Sequence, residues 1–340
     1  MKFIKGFDNR AEHGEILYRS EGFTYKIDHL WAKWPEKLVG VHVLNARCDE
    51  GDNLFASTDN KDHPVVLFDK QGNFIRSFGK GLFGKAHSIF LTNHDTILVA
   101  DTSDHVHAVR EITKTGEIVR DYGNLCIPSN SGCNDDAFMQ LKRDGKIPVD
   151  APWDDYVEFY ARLETINCAA PPFNKPCEMA VAPNGMMFAA DGYGNAAVQV
   201  FSPEGKHLET WGGPGTEIGQ YRLPHGVCID KYNRVWVADR ENKRGYIYNT
   251  EGEILAVLQG NFFRISAMWT DDKYAYIAEL DGGFAIIDLD SLELKAQFGY
   301  YESNLRTHGI CGDSEGNIFL MTNRTNRYSN IVKMIRVEWV

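Results

Sequence analysis

Three histidines, His87, His225 and His308, recur at one phase of a repeat of about 40 residues, and only in alternate repeats. Each opens an apolar strand signature: Ala86-His87-Ser88-Ile89, Pro224-His225-Gly226-Val227 and Thr307-His308-Gly309-Ile310. If six such repeats close into a ring, alternate members stand one third of a turn apart, and the three imidazoles converge on the central axis at one depth. Three nitrogen ligands with a fourth position open are what a catalytic zinc site requires, because the open position takes water or substrate. The spacing predicts a zinc centre made of His87, His225 and His308.

The elements that must position these rings are short strands. Around His225, residues 223–230, 234–240, 245–248 and 253–258 form four alternating apolar runs, separated by turn residues such as Lys231, Tyr232 and Asn233. That pattern is a four-stranded antiparallel meander, not a helix. The same unit recurs at 173–212 and 85–123, more loosely at 39–79 and 261–299, and partly at 305–340. Asp101, Asp191 and Asp239 each follow His87, Cys177 and His225 by fourteen residues. Six such units predict an all-β, six-bladed propeller. The sixth unit supplies only three strands, at 309–312, 317–322 and 331–338. The alternating segment 23–31 is expected to add its missing outer strand, closing the ring and covering edges that would otherwise pair with other chains.

The chain therefore divides into an N-terminal segment, 1–38, and a propeller, 39–340, interrupted at 124–172. That interruption is rich in proline, with a helix expected near 154–165. An excursion of this length reads as a lid or binding loop.

The second strand of each blade returns beside the start of the first, so residues just after the repeat aspartates share the rim with the histidines. They are Gly192-Tyr193-Gly194-Asn195 and Arg240-Glu241-Asn242. The phenol of Tyr193 and the guanidinium of Arg240 suit proton transfer and stabilisation of developing negative charge. Asp101 and Asp239 recur from blade to blade, which marks them as turn scaffold. His42, His63, His94, His105 and His107 fall at other phases and are expected to face solvent or a rim.

Net charge is -11, with 47 acidic against 36 basic residues. Nucleic acid is thereby disfavoured as the main partner, since phosphate binding needs a basic face; a small-molecule substrate is expected instead. No apolar run reaches membrane-spanning length, and the segment 1–8 is too polar for the core of a signal peptide, so the cytoplasm is the expected compartment. Seven cysteines without regular spacing read mostly as reduced, buried small residues. Cys126 and Cys133 alone leave a disulfide open, inside the insertion.

Four motifs carry a family resemblance: the run 172–181, containing Pro176-Cys177-Glu178; the run Ala190-Asp191-Gly192-Tyr193-Gly194-Asn195; the run Leu223-Pro224-His225-Gly226; and Val237-Ala238-Asp239-Arg240-Glu241-Asn242. Together they resemble the NHL-repeat propellers, and within them the peptidyl-α-hydroxyglycine α-amidating lyases and their bacterial relatives, over about residues 39–323. The resemblance implies catalytic zinc on His87, His225 and His308, a catalytic Tyr193 and an active-site Arg240. It implies N-dealkylation of a carbinolamide to an amide and an aldehyde. The chain departs from those lyases twice. Asn60 or Lys61 stands where they carry a second arginine, so substrate contacts are expected from Asn60 and Lys61, together with Asn195 on the rim. Gly309 follows the third histidine where they have an aspartate that helps hold a structural calcium, so calcium is in question. Two other readings remain open. One is a metal-dependent hydrolase or lactonase of the gluconolactonase-like propellers, with carboxylate and Asn ligands around calcium. The other is a non-catalytic interaction propeller.

Overall fold

A computed structural model of the chain describes residues 17–299, 305–322 and 331–337. The polar segment 1–8 and the end of the last expected strand, at residue 338, lie outside them. The described strands form six antiparallel sheets, five of four strands and one of five. This is the six-bladed propeller that the repeat predicts. The first strands of the blades, in order, are Val43–Cys48, Ala86–Leu91, Glu178–Val181, Pro224–Ile229, Ile265–Thr270 and Thr307–Gly312.

Alternation explains the packing. Each central strand is sandwiched between neighbouring blades, so its residues are apolar on both faces, as in Val235–Asp239, where every side chain is buried. The core lies between blades, for example where Phe188 and Val198 of blade three meet Val227 and Val237 of blade four. Burying each such side chain contributes roughly 1.5–3 kcal/mol.

Ring closure follows the expected route with one addition. Phe23–Asp28 pairs antiparallel with Ile331–Arg336, Lys26 lying opposite Ile335. Leu17–Ser20 then pairs outside it, so the closing blade has five strands where four were expected. The closing strand also stops short of residue 31. The carboxylate of Asp28 accepts the backbone N–H of Leu30 at 2.8 Å, which turns the chain. Trp31 is thereby released from the sheet and buries against Phe319 and Phe68, with ring centroids 4.7 and 6.0 Å away.

The insertion leaves blade two after Tyr122 and carries two helices, α1 (Ala137–Arg143) and α2 (Asp155–Leu163). Asp154 caps α2 by accepting the N–H groups of Tyr156 and Val157, at the start expected from sequence. The shorter α1 was not expected; two turns are too few for a helical period to stand out. Cys126 and Cys133 do not pair, and all seven cysteines are free. Among the described residues no helix is long and apolar enough to cross a membrane.

Candidate metal centre and its rim

The three predicted histidines meet. Each is the second residue of its blade's first strand, and in each strand the pairing register shifts across it: between Ala86 and Ser88, Pro224 and Gly226, Thr307 and Gly309. The histidine is thus the extra residue of a β-bulge, a device that re-aims a side chain. Their ring centroids stand 4.9, 5.0 and 4.8 Å apart, an almost equilateral triangle.

Each Nδ1 is tied to the carbonyl of the residue at the same phase in the next blade. His87 bonds Cys177 at 2.8 Å, His225 bonds Ser266 at 2.5 Å and His308 bonds Leu44 at 2.9 Å. A carbonyl only accepts, so every Nδ1 carries the proton and every Nε2 presents a lone pair. Burial pushes all three imidazoles well below their usual range, His308 to about 3, with positive charge nearby reinforcing it. Three neutral donors therefore face one another, with ligand atoms all within 4.8 Å. The Nε2 of His87 is buried without a hydrogen-bond partner. An orphaned acceptor among three oriented imidazoles fits a metal such as zinc, copper, iron or nickel, and the trio is a candidate metal site.

Tyr193 and Arg240 join this cluster. The Tyr193 hydroxyl lies 3.0 Å from Nε2 of His225, and Arg240 Nη1 donates to it at 3.2 Å. Arg240 is placed by its own backbone N–H, which bonds the carbonyl of Leu223 at 2.9 Å. Its Nε donates to Glu241 at 2.8 Å. The loop bearing Tyr193 lies against its neighbours because two glycines flank it. A Cβ on Gly192 would come within 2.1 Å of the Pro224 carbonyl, and one on Gly194 within 2.3 Å of the Asn174 side chain.

The other expected site residues fare differently. Lys61 is exposed and lines a cavity of about 470 Å³ that Tyr193 also lines, with Lys85, His105 and Lys175. Asn60 shapes the turn beside it: its carboxamide oxygen accepts the Asp62 N–H and its own N–H donates to Thr58. Asn195 is corrected. It is fully buried, its Nδ2 donating to Asp191 at 2.8 Å and to the Ala170 carbonyl at 2.6 Å, while its Oδ1 accepts from Ala170 and Ala196. With every polar atom engaged it pins the end of the insertion and has nothing left for substrate. Asp101 and Asp239 accept backbone N–H groups, as scaffold residues do. His105 reaches the rim, whereas His107 is buried and bonds the Asp104 carbonyl.

No carboxylate cluster for calcium accompanies the histidines among the described residues. Beneath the histidines, Arg47 of blade one bonds Glu178 of blade three at 2.7 Å, and its Nη1 reaches the Ile310 carbonyl of blade six. Asn45 also donates to Glu178, which accepts the Val227 N–H of blade four. This buried pair thus ties four blades together.

Sequence reading missed Phe159 and Tyr160 as neighbours of the site. Phe159 stands 6.2 Å from Tyr193 between ring centroids, and its ring is 5.5 Å from the Arg240 guanidinium. The hydroxyl of Tyr160 donates to Glu241 at 2.7 Å. Glu241 was in view beside Arg240; the two aromatics lay in an insertion whose docking no local pattern reveals.

Comparison with known proteins agrees with this architecture. The NHL repeat profile matches residues 221–244. Human NHL repeat-containing protein 3 is 23% identical over 279 residues, 78% of this chain and 70% of that protein. A probable peptidyl-alpha-hydroxyglycine alpha-amidating lyase of Caenorhabditis elegans is 28% identical over 218 residues; the match takes in 61% of this chain and about half, 51%, of that lyase. Among solved structures, virginiamycin B lyase from Staphylococcus aureus superposes with a TM-score of 0.58 at 12% identity, covering 93% of this chain and all of that one, which is a likeness of fold. The chain is a six-bladed β-propeller carrying an NHL repeat, similar to NHL repeat-containing protein 3 and to the amidating lyases.

Proposed function

We propose that the protein is a zinc-dependent lyase that cleaves a C–N or C–O bond at a hydroxylated carbon of a small molecule. One observation carries the reading: three oriented imidazole Nε2 atoms converge beside the Tyr193 hydroxyl, which Arg240 holds. Zinc bound there would supply Lewis acidity, making a substrate hydroxyl easier to deprotonate.

The chain's own groups account for the rest. In a carbinolamide, the hydroxyl proton leaves oxygen as the C=O bond forms. The C–N electron pair returns to nitrogen, which takes up a proton, and an amide and an aldehyde separate. Tyr193 Oη is placed to hold that proton in transit from oxygen to nitrogen. Arg240 Nη1 steadies the phenol oxygen and any negative charge there. Lys61 and Lys85 line the cavity, whose other charged groups are the pairs Lys175–Asp104 and Arg162–Glu158 and the carboxylate of Asp155; the two lysines favour a substrate bearing an anionic group. Helix α2 lines the cavity beside Tyr193 through Asp155, Glu158, Phe159 and Arg162. A hydrolase on carboxylate-held calcium is not favoured, because the ligands at the site are imidazoles. The proposal places the enzyme in the cytoplasm, which seven unpaired cysteines support.

The test is metal analysis coupled to turnover. Purified protein should hold one zinc per chain and release an aldehyde acid from an N-acyl-α-hydroxyglycine, and the His225→Ala variant should lose both. A chain without stoichiometric metal, or a variant with unchanged metal content, overturns the reading.

A further inference from the structure

Helix α2 stands between two cavities. Asp155, Glu158, Phe159 and Arg162 line the smaller, of about 470 Å³, which also holds Tyr193. Tyr156, Val157, Tyr160 and Glu164 line the larger, of about 1000 Å³, which reaches Glu241 and Arg264 on the propeller. The two sets fall at helical spacing on opposite sides of α2. The histidine trio borders neither cavity; Tyr193, whose hydroxyl lies 3.0 Å from Nε2 of His225, borders the smaller one and links it to the trio.

The partition is held firmly. Phe159 lies over Arg240 on the chamber side. Tyr160 bonds Glu241, whose side chain is 3% exposed and also meets Arg240 at 2.8 Å and Arg264 at 3.6 Å. A buried carboxylate with three such partners resists separation, since losing one strands charge in a poorly solvated place. On the far side of the chamber, Lys175, itself fully buried, bonds Asp104 of blade two and Asp135 of the insertion. The insertion is thus fastened on both flanks of the chamber.

We propose that Phe159 and Tyr160 form the size-selecting wall of the reaction chamber, latched to the propeller by Glu241. Compact molecules reach the histidines; bulky ones, including an extended polypeptide, are kept out because α2 closes off the larger cavity. The chamber volume lies toward the lower end of the range for small-molecule sites, roughly 300–1,000 Å³. The inference deepens the lyase reading by naming its substrate class, and rests on it only for the word substrate; the gate itself is testable without metal.

The experiment uses the full chain with His308→Cys, labelled by methyl methanethiosulfonate or by a bulky dansyl methanethiosulfonate, and reads modification at position 308 by peptide mass spectrometry. The small reagent should label readily and the bulky one at least tenfold more slowly. Adding Phe159→Ala or, separately, Glu241→Gln should raise the bulky rate at least tenfold while changing the small one less than threefold. Equal rates for both reagents overturn the proposal. So does failure of the small reagent to label, or a rate ratio that neither variant alters. Metal content of the unmodified chain is measured separately, so a failed gate and a failed metal reading are told apart.

Discussion

Arg240 Nη1 donates to the Tyr193 hydroxyl at 3.2 Å, and that hydroxyl stands 3.0 Å from Nε2 of His225. The phenol is thereby held by a permanent cation on one side and a candidate metal ligand on the other. Tyr193→Phe removes the oxygen and keeps the ring, so metal content should stay and kcat on a carbinolamide should fall by about 10²–10⁴. Arg240→Lys should also be slow, because one ammonium cannot hold both Tyr193 and Glu241 as the forked guanidinium does. Steady-state kinetics on samples of verified metal content check both.

Metal should stabilise the fold. A ligand that binds only the native state adds about 4 kcal/mol at a thousand times its Kd. Calorimetry with and without zinc should show a higher Tm for the loaded chain. His308→Ala should abolish that rise, since its Nδ1 bond to Leu44 shows its ring to be one of the three aimed inward.

The Arg47–Glu178 pair gives a third prediction. Both side chains are buried and bonded at 2.7 Å, so removing one partner leaves the other uncompensated. Glu178→Gln should cost about 3–5 kcal/mol in urea unfolding, and adding Arg47→Met should recover much of it.

Glu279 supplies a pH dependence away from the metal. Burial pushes its carboxyl up to about 7, against hydrogen bonds from Gln297 and the Phe263 N–H. A carboxyl raised on folding contributes stability that is fully present below its unfolded value of about 4.3 and is lost as pH rises toward 7. The effect is on the order of 3 kcal/mol. Thermal unfolding between pH 5 and 8 should show this decline, and Glu279→Gln should flatten it.

Much of this was legible from the chain. Period-two alternation broken by turn residues reports a buried strand directly, so the six blades and the common phase of His87, His225 and His308 follow from local pattern. Tyr193 and Arg240 were placed by antiparallel geometry alone. What escaped depends on contacts distant in sequence. The bulges that aim the histidines leave no compositional mark. Phe159 and Tyr160 approach the site only because the insertion docks across blades three and four. Asn195 misled for the same reason: two residues from Tyr193, it is drawn inward by Asp191 and the Ala170 carbonyl.

The pairing of Phe23–Asp28 with Ile331–Arg336 has a consequence for biogenesis. In the growing chain Phe23–Asp28, paired with Leu17–Ser20 on one side, waits on the other for a partner made some three hundred residues later. Until then the growing arc presents two raw sheet edges, the kind that recruit other chains. Contacts so far apart in sequence are slow to form. Ring closure should therefore be a late step in folding, and incomplete arcs are natural clients for chaperones.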